Sequence, residues 1–194
     1  MKHSFRNEAE LDRELGIDTS LTDTDWSQRR RHPCQPTPLA ALNAVAERLK
    51  PGEHIVDCGC GTGRAVFFFA AMGFRVVGVE LDERRFAQAM DNLSRCRRRS
   101  PETAGRVTLV NLPAQDYMAE EDVTAMYFFN PFPAAVLRGV LRRIGARDVR
   151  LFCYYPDDEW VDLLLDEGWT LQESIDLRDV LGRDDRERVD VFGR

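Results

Sequence analysis

Two acids and three glycines are the first residues with a pattern that could do chemistry. The stretch VDCGCGTGR sets Asp57 directly before Gly59, Gly61 and Gly63, and Glu80 follows about twenty residues beyond the loop. Glycine loses more backbone freedom on folding than any other residue, so three on alternate positions answer a local need for bare backbone. A carboxylate at the position of Glu80 can accept both hydroxyls of a ribose. Asp57 adds a second negative charge, which suits a ligand carrying an ammonium or sulfonium and repels a pyrophosphate.

These residues need a scaffold that brings them to one rim. EHIVDC reads as a strand, RAVFFFAAM as a helix closed by Gly73, FRVVGVE as the next strand and DERRFAQAMDNLSRC as a helix. RVTLVN and VTAMYFFN give a third and fourth strand. FPAAVLRGVLRRI is a helix, DVRLFCYY a fifth strand, and 157–167 a helix. WTLQESIDL and RERVDVFG are two last strands with a turn-rich link. Alternating strands and helices predict a parallel sheet covered on both faces, with right-handed crossovers. The last two strands lack a helix between them and should pair as an antiparallel hairpin at one edge. The expected fold is therefore a doubly wound α/β sandwich: a mostly parallel seven-stranded sheet with a C-terminal antiparallel hairpin. Before it, Thr37 and Pro38 read as the cap and first residue of a helix over LAALNAVAERL. Residues 1–33 are polar, carry few core-forming side chains and read as an appendage, part helical at EAELDREL. The domain proper is expected over 34–194.

Bulk properties narrow the partners. A net charge of −6 argues against a whole-surface affinity for nucleic acid, though two basic runs, Arg29–Arg31 and Arg95–Arg99, complicate this; the second is read as cations complementing a helix C-terminus in preference to a phosphate-contacting patch. Five cysteines, Cys34, Cys58, Cys60, Cys96 and Cys153, are odd in number and lack C-x-x-C spacing, which points to a reduced, cytoplasmic protein. His3, His32 and His54 are scattered, so no metal site is expected. No apolar run approaches the roughly 20 residues of a membrane span, and no secretory leader is read at the start.

In a doubly wound sheet the ligand sits at the carboxyl ends of the strands, where the order reverses. A dinucleotide fingerprint would place glycine where Arg64 stands, and the third glycine here comes one residue early. Together with Asp57, this favours S-adenosylmethionine over a nicotinamide dinucleotide.

HIVDCGCGTGR, VVGVELDERRFAQAMDNL and YFFNPFP resemble the three sequence blocks of the class I S-adenosylmethionine-dependent methyltransferases. The likeness extends to a bacterial subgroup with poorly defined substrates. Its members carry a PTP entry to the first helix, a YFFNPF block, a YYP block and an acidic-ERF-like terminus, to which LGRDDRERVDVFGR is similar. It covers about residues 33–194. The resemblance implies that Asp57, Gly59, Cys60, Gly61 and Gly63 surround the methionine half of the cofactor. It implies that Glu80 takes the ribose and Leu81 lies near the adenine. The family often has an acid then alanine after the third strand. Here Pro113 and Ala114 stand there, leaving Gln115 or Asp116 as alternatives for the adenine amino group, with a loop-capping role for Asp116 equally open.

Asn130 opens NPFP at the end of the fourth strand. Amino-group methyltransferases of nucleobases and of protein glutamine have Asn or Asp, two prolines and an aromatic residue there, and the likeness implies that Asn130 orients an acceptor nitrogen. The exchange of the third and fourth positions puts a stacking role for Phe132 in question. The other reading makes NPFP a strand-to-helix turn. Tyr154 and Tyr155 close the fifth strand, and strand pleating would turn one of them away from the rim. No cysteine lies in NPFP, which disfavours a cysteine-linked mechanism.

The expected activity is direct methyl transfer from S-adenosylmethionine to a nucleophile, nitrogen slightly favoured. The acceptor would be a small molecule or protein, with RNA a minority view. A non-catalytic S-adenosylmethionine-binding interaction protein is the alternative.

Overall fold

The computed structural model describes residues 5–20, 35–182 and 184–194; Trp26, Cys34 and Arg29–Arg31 lie outside them. Its sheet has the order β3-β2-β1-β4-β5-β7-β6. The strands are β1 (His54–Cys58), β2 (Arg75–Glu80), β3 (Val107–Asn111), β4 (Val123–Phe129), β5 (Arg150–Tyr154), β6 (Thr170–Asp176) and β7 (Arg188–Gly193). The first five are parallel, and β7 inserts antiparallel between β5 and β6. Every residue of β1 is buried, because a central parallel strand is covered on both faces and offers no solvated side for polar residues. The expected seven-stranded sheet with its C-terminal hairpin is present. The link inside the hairpin contains a short helix, α8 (Arg178–Leu181), where a turn was expected.

One face carries α2 (Leu39–Ala46), α3 (Arg64–Ala71) and α4 (Glu83–Arg99); the other carries α6 (Ala134–Ile144) and α7 (Asp158–Asp166). After Arg64, every residue of α3 is buried, as its uniformly apolar sequence requires. Short α5 (Pro101–Ala104) leads from α4 towards β3.

The N-terminal helix α1 (Glu8–Leu15) is joined to this body. Phe5, Leu11, Leu15 and Ile17 are buried in the same core as α3. The cap of α2 also comes from here. Thr37 does not cap it; the Glu8 carboxylate accepts from Leu39 N–H at 3.0 Å, and the Thr37 hydroxyl accepts from Tyr127 at 3.2 Å. A carboxylate at a helix N-terminus also meets the positive end of the dipole.

Candidate cofactor and acceptor site

The strand order reverses between β1 and β4, and a cavity of about 590 Å³ opens at their carboxyl ends. The glycine loop forms its floor. Gly59 and Cys60 both donate their amides to the Val79 carbonyl, at 2.8 and 3.0 Å, which ties the loop to the end of β2. The Gly61 amide donates to Glu80 Oε2 at 2.8 Å, and the Asp82 amide to Glu80 Oε1 at 2.7 Å. Three loop amides are thus satisfied within the protein, unlike the open amides that cradle a pyrophosphate.

All three glycines have positive φ, 86°, 57° and 95°, but their surroundings differ. A Cβ on Gly59 would lie 2.4 Å from Pro131 Cβ, and one on Gly63 would lie 2.8 Å from the Phe67 ring. Those two are bare because protein packs on them. Gly61 lines the cavity.

Asp57 and Glu80 are both buried on the cavity wall. Burial, and secondarily the Glu80 charge, pushes the Asp57 carboxyl up to about 8. Two acids without a cation between them are mutually unfavourable, and a positively charged ligand relieves both. Asn111 steadies this corner by donating to the carbonyls of Glu80 at 2.8 Å and Leu81 at 3.3 Å. Leu81 and Ala114 line the cavity. Gln115 and Asp116 are outside its lining. Gln115 packs against Gly139 of α6 and its carbonyl accepts from Arg143, while Asp116 is exposed.

Asn130 lies on the same cavity in a left-handed conformation, φ 35°, and its Oδ1 is buried without a hydrogen-bond partner. An unpaired buried acceptor costs about 1–3 kcal/mol, and such strained, unsatisfied groups gather where a ligand is to bind. The rest of NPFP is pinned from behind. The Trp160 indole donates to the Phe132 carbonyl at 3.0 Å, and the Phe132 ring packs edge-on to Phe128 and tilted on Trp160.

Both Tyr154 and Tyr155 line the cavity, against the expectation that one would face away. Tyr155 is past the end of β5 and has φ 54°, so the pleat no longer governs its direction. Phe129, Tyr154 and Tyr155 form one aromatic group, with ring centroids 4.6 Å (Phe129 to Tyr154) and 6.4 Å (Phe129 to Tyr155) apart. The link before β7 adds Arg186 and Glu187 to the lining, and the PTP segment adds Pro36 and Thr37. Sequence reasoning gave these four no place in the site. Their only signal was that they fall in blocks of the resemblance left without a role.

Burial pushes the Cys58 and Cys153 thiols up, which removes nucleophilic character. Among the described residues no group of three His, Cys, Asp or Glu side chains is arranged to hold a metal. No described helix is long and apolar enough to cross a membrane.

Residues 55–146 match the family model described as "Methyltransferase domain". Ribosomal RNA small subunit methyltransferase J of Francisella philomiragia is 31% identical over 48% of this chain and 41% of its own length. The same-named protein of Alkalilimnicola ehrlichii is 34% identical over 46% of this chain and 36% of its own. The matched segment is thus less than half of either relative. Among solved structures, the glycopeptide N-methyltransferase MtfA complexed with S-adenosylmethionine superposes with TM-score 0.64 and 14% identity, covering 78% of this chain and 91% of that one. A putative tRNA (m1A22) methyltransferase of Streptococcus pneumoniae gives 0.61 and 15%, covering 78% and 68%. At that identity the likeness is one of fold, and it is the fold expected. Residues 55–146, which hold the glycine loop and both acids, thus match a methyltransferase domain, and the fold around them is the one these solved methyltransferases share.

Proposed function

We propose that the chain methylates a nitrogen on an acceptor held beside Asn130. When bound, S-adenosylmethionine would supply a methyl carbon on positive sulfur, with the new N–C bond forming as the C–S bond breaks to leave S-adenosylhomocysteine. Glu80 would hold the ribose hydroxyls, and Leu81 and Ala114 would flank the adenine. Asp57 would sit with Gly59, Cys60, Gly61 and Gly63 around the methionine half, where its charge offsets a cation. The observation that carries the nitrogen reading is the buried, unpartnered Oδ1 of Asn130, a residue that lines the cavity. An amide oxygen accepts a hydrogen bond from an N–H and so aims the lone pair, and such positioning accounts for much of the acceleration in group transfer.

The acceptor on this reading is a small molecule or a protein side chain. The curated relatives act, by name, on ribosomal RNA. Of the two basic runs, Arg29–Arg31 lies outside the described residues and Arg95–Arg99 closes α4. That helix starts just after the carboxyl end of β2 and runs back, leaving the arginines at the far end of the sheet from the cavity.

The test is S-adenosylhomocysteine release from extract fractions that support turnover by the wild type. Asn130→Ala should lower the rate by about a hundred- to thousandfold, the usual effect of losing one such polar group. Cofactor affinity should stay within a few-fold. Normal turnover would reduce NPFP to a turn, and collapsed cofactor affinity would move Asn130 into the cofactor site.

A further inference from the structure

The half of the cavity beyond Asn130 has a chemistry of its own. Three rings, Phe129, Tyr154 and Tyr155, meet there. Glu187 reaches the same wall from the link before β7, and its Oε2 accepts from the Tyr154 hydroxyl at 2.7 Å. Among the described residues Glu187 has no cationic partner. The neighbouring guanidinium does not serve it. Arg186 stacks 4.3 Å from the Tyr155 ring centre, donates to the Tyr155 hydroxyl at 2.8 Å and pairs with Asp184.

The residues lining this space are thus the three aromatics, Glu187, Asn130 with its unpartnered amide oxygen, and Arg186, whose guanidinium is already paired with Asp184 and stacked on Tyr155. Two acceptors and several negative ring faces complement a group that is rich in N–H and positively charged. A neutral hydroxyl or carboxamide would leave the carboxylate without compensation on a partly dry wall.

Building on the nitrogen-acceptor reading, we propose that this half of the cavity binds the acceptor amine as an ammonium, held by the Glu187 carboxylate and the faces of Phe129, Tyr154 and Tyr155. Tyr154 positions Glu187, and Asn130 takes a second N–H of the same group. The ammonium proton passes to the Glu187 carboxylate, which leaves a neutral amine with its lone pair free.

The probe is benzylamine, an ammonium at pH 7, titrated into the full chain saturated with S-adenosylhomocysteine. Benzyl alcohol and aniline serve as neutral controls. Benzylamine should bind, and benzyl alcohol should bind at least about tenfold more weakly, since a charge-assisted hydrogen bond is lost. Glu187→Gln keeps an acceptor for Tyr154 but loses the charge. It should weaken benzylamine by at least about tenfold and leave S-adenosylhomocysteine affinity within about twofold. Tyr155→Leu should weaken benzylamine more than benzyl alcohol.

Equal binding of benzylamine by Glu187→Gln and wild type overturns the proposal, as does equal binding of the alcohol. If aniline binds better than benzylamine and loses affinity in Asn130→Ala, the ammonium assignment fails while the nitrogen reading stands. If neither amine binds the S-adenosylhomocysteine complex, the ammonium site is excluded, while the nitrogen reading still stands or falls on turnover by Asn130→Ala.

Discussion

The side-chain amide of Asn92 donates to the carbonyl of Thr62 at 3.0 Å, inside the glycine loop. The same amide donates to the Asp18 carbonyl at 2.8 Å and accepts from the Asp18 N–H at 2.9 Å. Asn92 is fully buried, so one side chain of α4 joins the N-terminal segment to the glycine loop. Arg64, at the start of α3, adds a second tie through the Thr19 hydroxyl at 2.8 Å and the Thr19 carbonyl at 3.0 Å.

Docking of residues 8–20 and ordering of the loop should therefore be linked. S-adenosylhomocysteine is expected to slow amide hydrogen exchange across 8–20 in the wild type. Asn92→Ala should lose that protection and bind the cofactor more weakly. Exchange over 8–20 that ignores the cofactor would mean the N-terminal helix is only a cover for the core.

Glu80 ties the glycine loop and is proposed to hold the ribose, and its variants should separate the two. Its oxygens accept from the Gly61 and Asp82 amides, so Glu80→Ala would loosen the loop as well as remove the proposed ribose contact. Glu80→Gln keeps an acceptor oxygen and loses the charge. It should weaken S-adenosylhomocysteine by about ten- to hundredfold, corresponding to roughly 1.5–3 kcal/mol of charge-assisted hydrogen bonding. Calorimetric titration showing unchanged affinity would place the ribose elsewhere.

The glycines should divide by what they touch. Gly59→Ala puts a Cβ into Pro131 at a φ of 86°, so it should lower the melting temperature, with roughly 1–3 kcal/mol from backbone strain alone. Gly61→Val, strained likewise at a φ of 57°, should abolish cofactor binding while the circular dichroism spectrum stays close to wild type. A Gly61→Val protein that still binds would show that the ligand never meets the loop.

Much of this was legible because it is local. The run of buried residues in β1, the uniformly apolar α3 and the glycine spacing announce a central strand, a buried helix and a bare loop without any distant contact. What escaped depends on residues far apart in sequence. Glu8 caps α2 across 31 positions, and Tyr154 meets Glu187 across 33. Tyr155 was misplaced for a different reason: pleat alternation holds only within a strand, and its left-handed backbone begins one residue later. The glycine loop shows a subtler limit. Its composition indicates that bare backbone is needed, but only the packing of Pro131 and Phe67 reveals that two of the three glycines are bare for the protein's own sake.

Asp57 offers a pH signature that needs no acceptor. Burial and the Glu80 charge raise its carboxyl from the ordinary 3.8 to about 8 in the folded protein. Between those values the folded state holds a proton that the unfolded state has released, so stability falls as pH rises through that window. The contribution is fully present below the unfolded value and lost once pH passes about 8. Asp57→Asn cannot ionise and should escape this loss. Its ligand-free melting temperature should match the wild type near pH 4 and exceed it near pH 9. With S-adenosylmethionine the order should reverse, since a cationic ligand favours the ionised acid that the variant lacks. Parallel melting curves for the two proteins at every pH would mean that Asp57 keeps its charge in the empty site, and the cation-matching role assigned to it would fail.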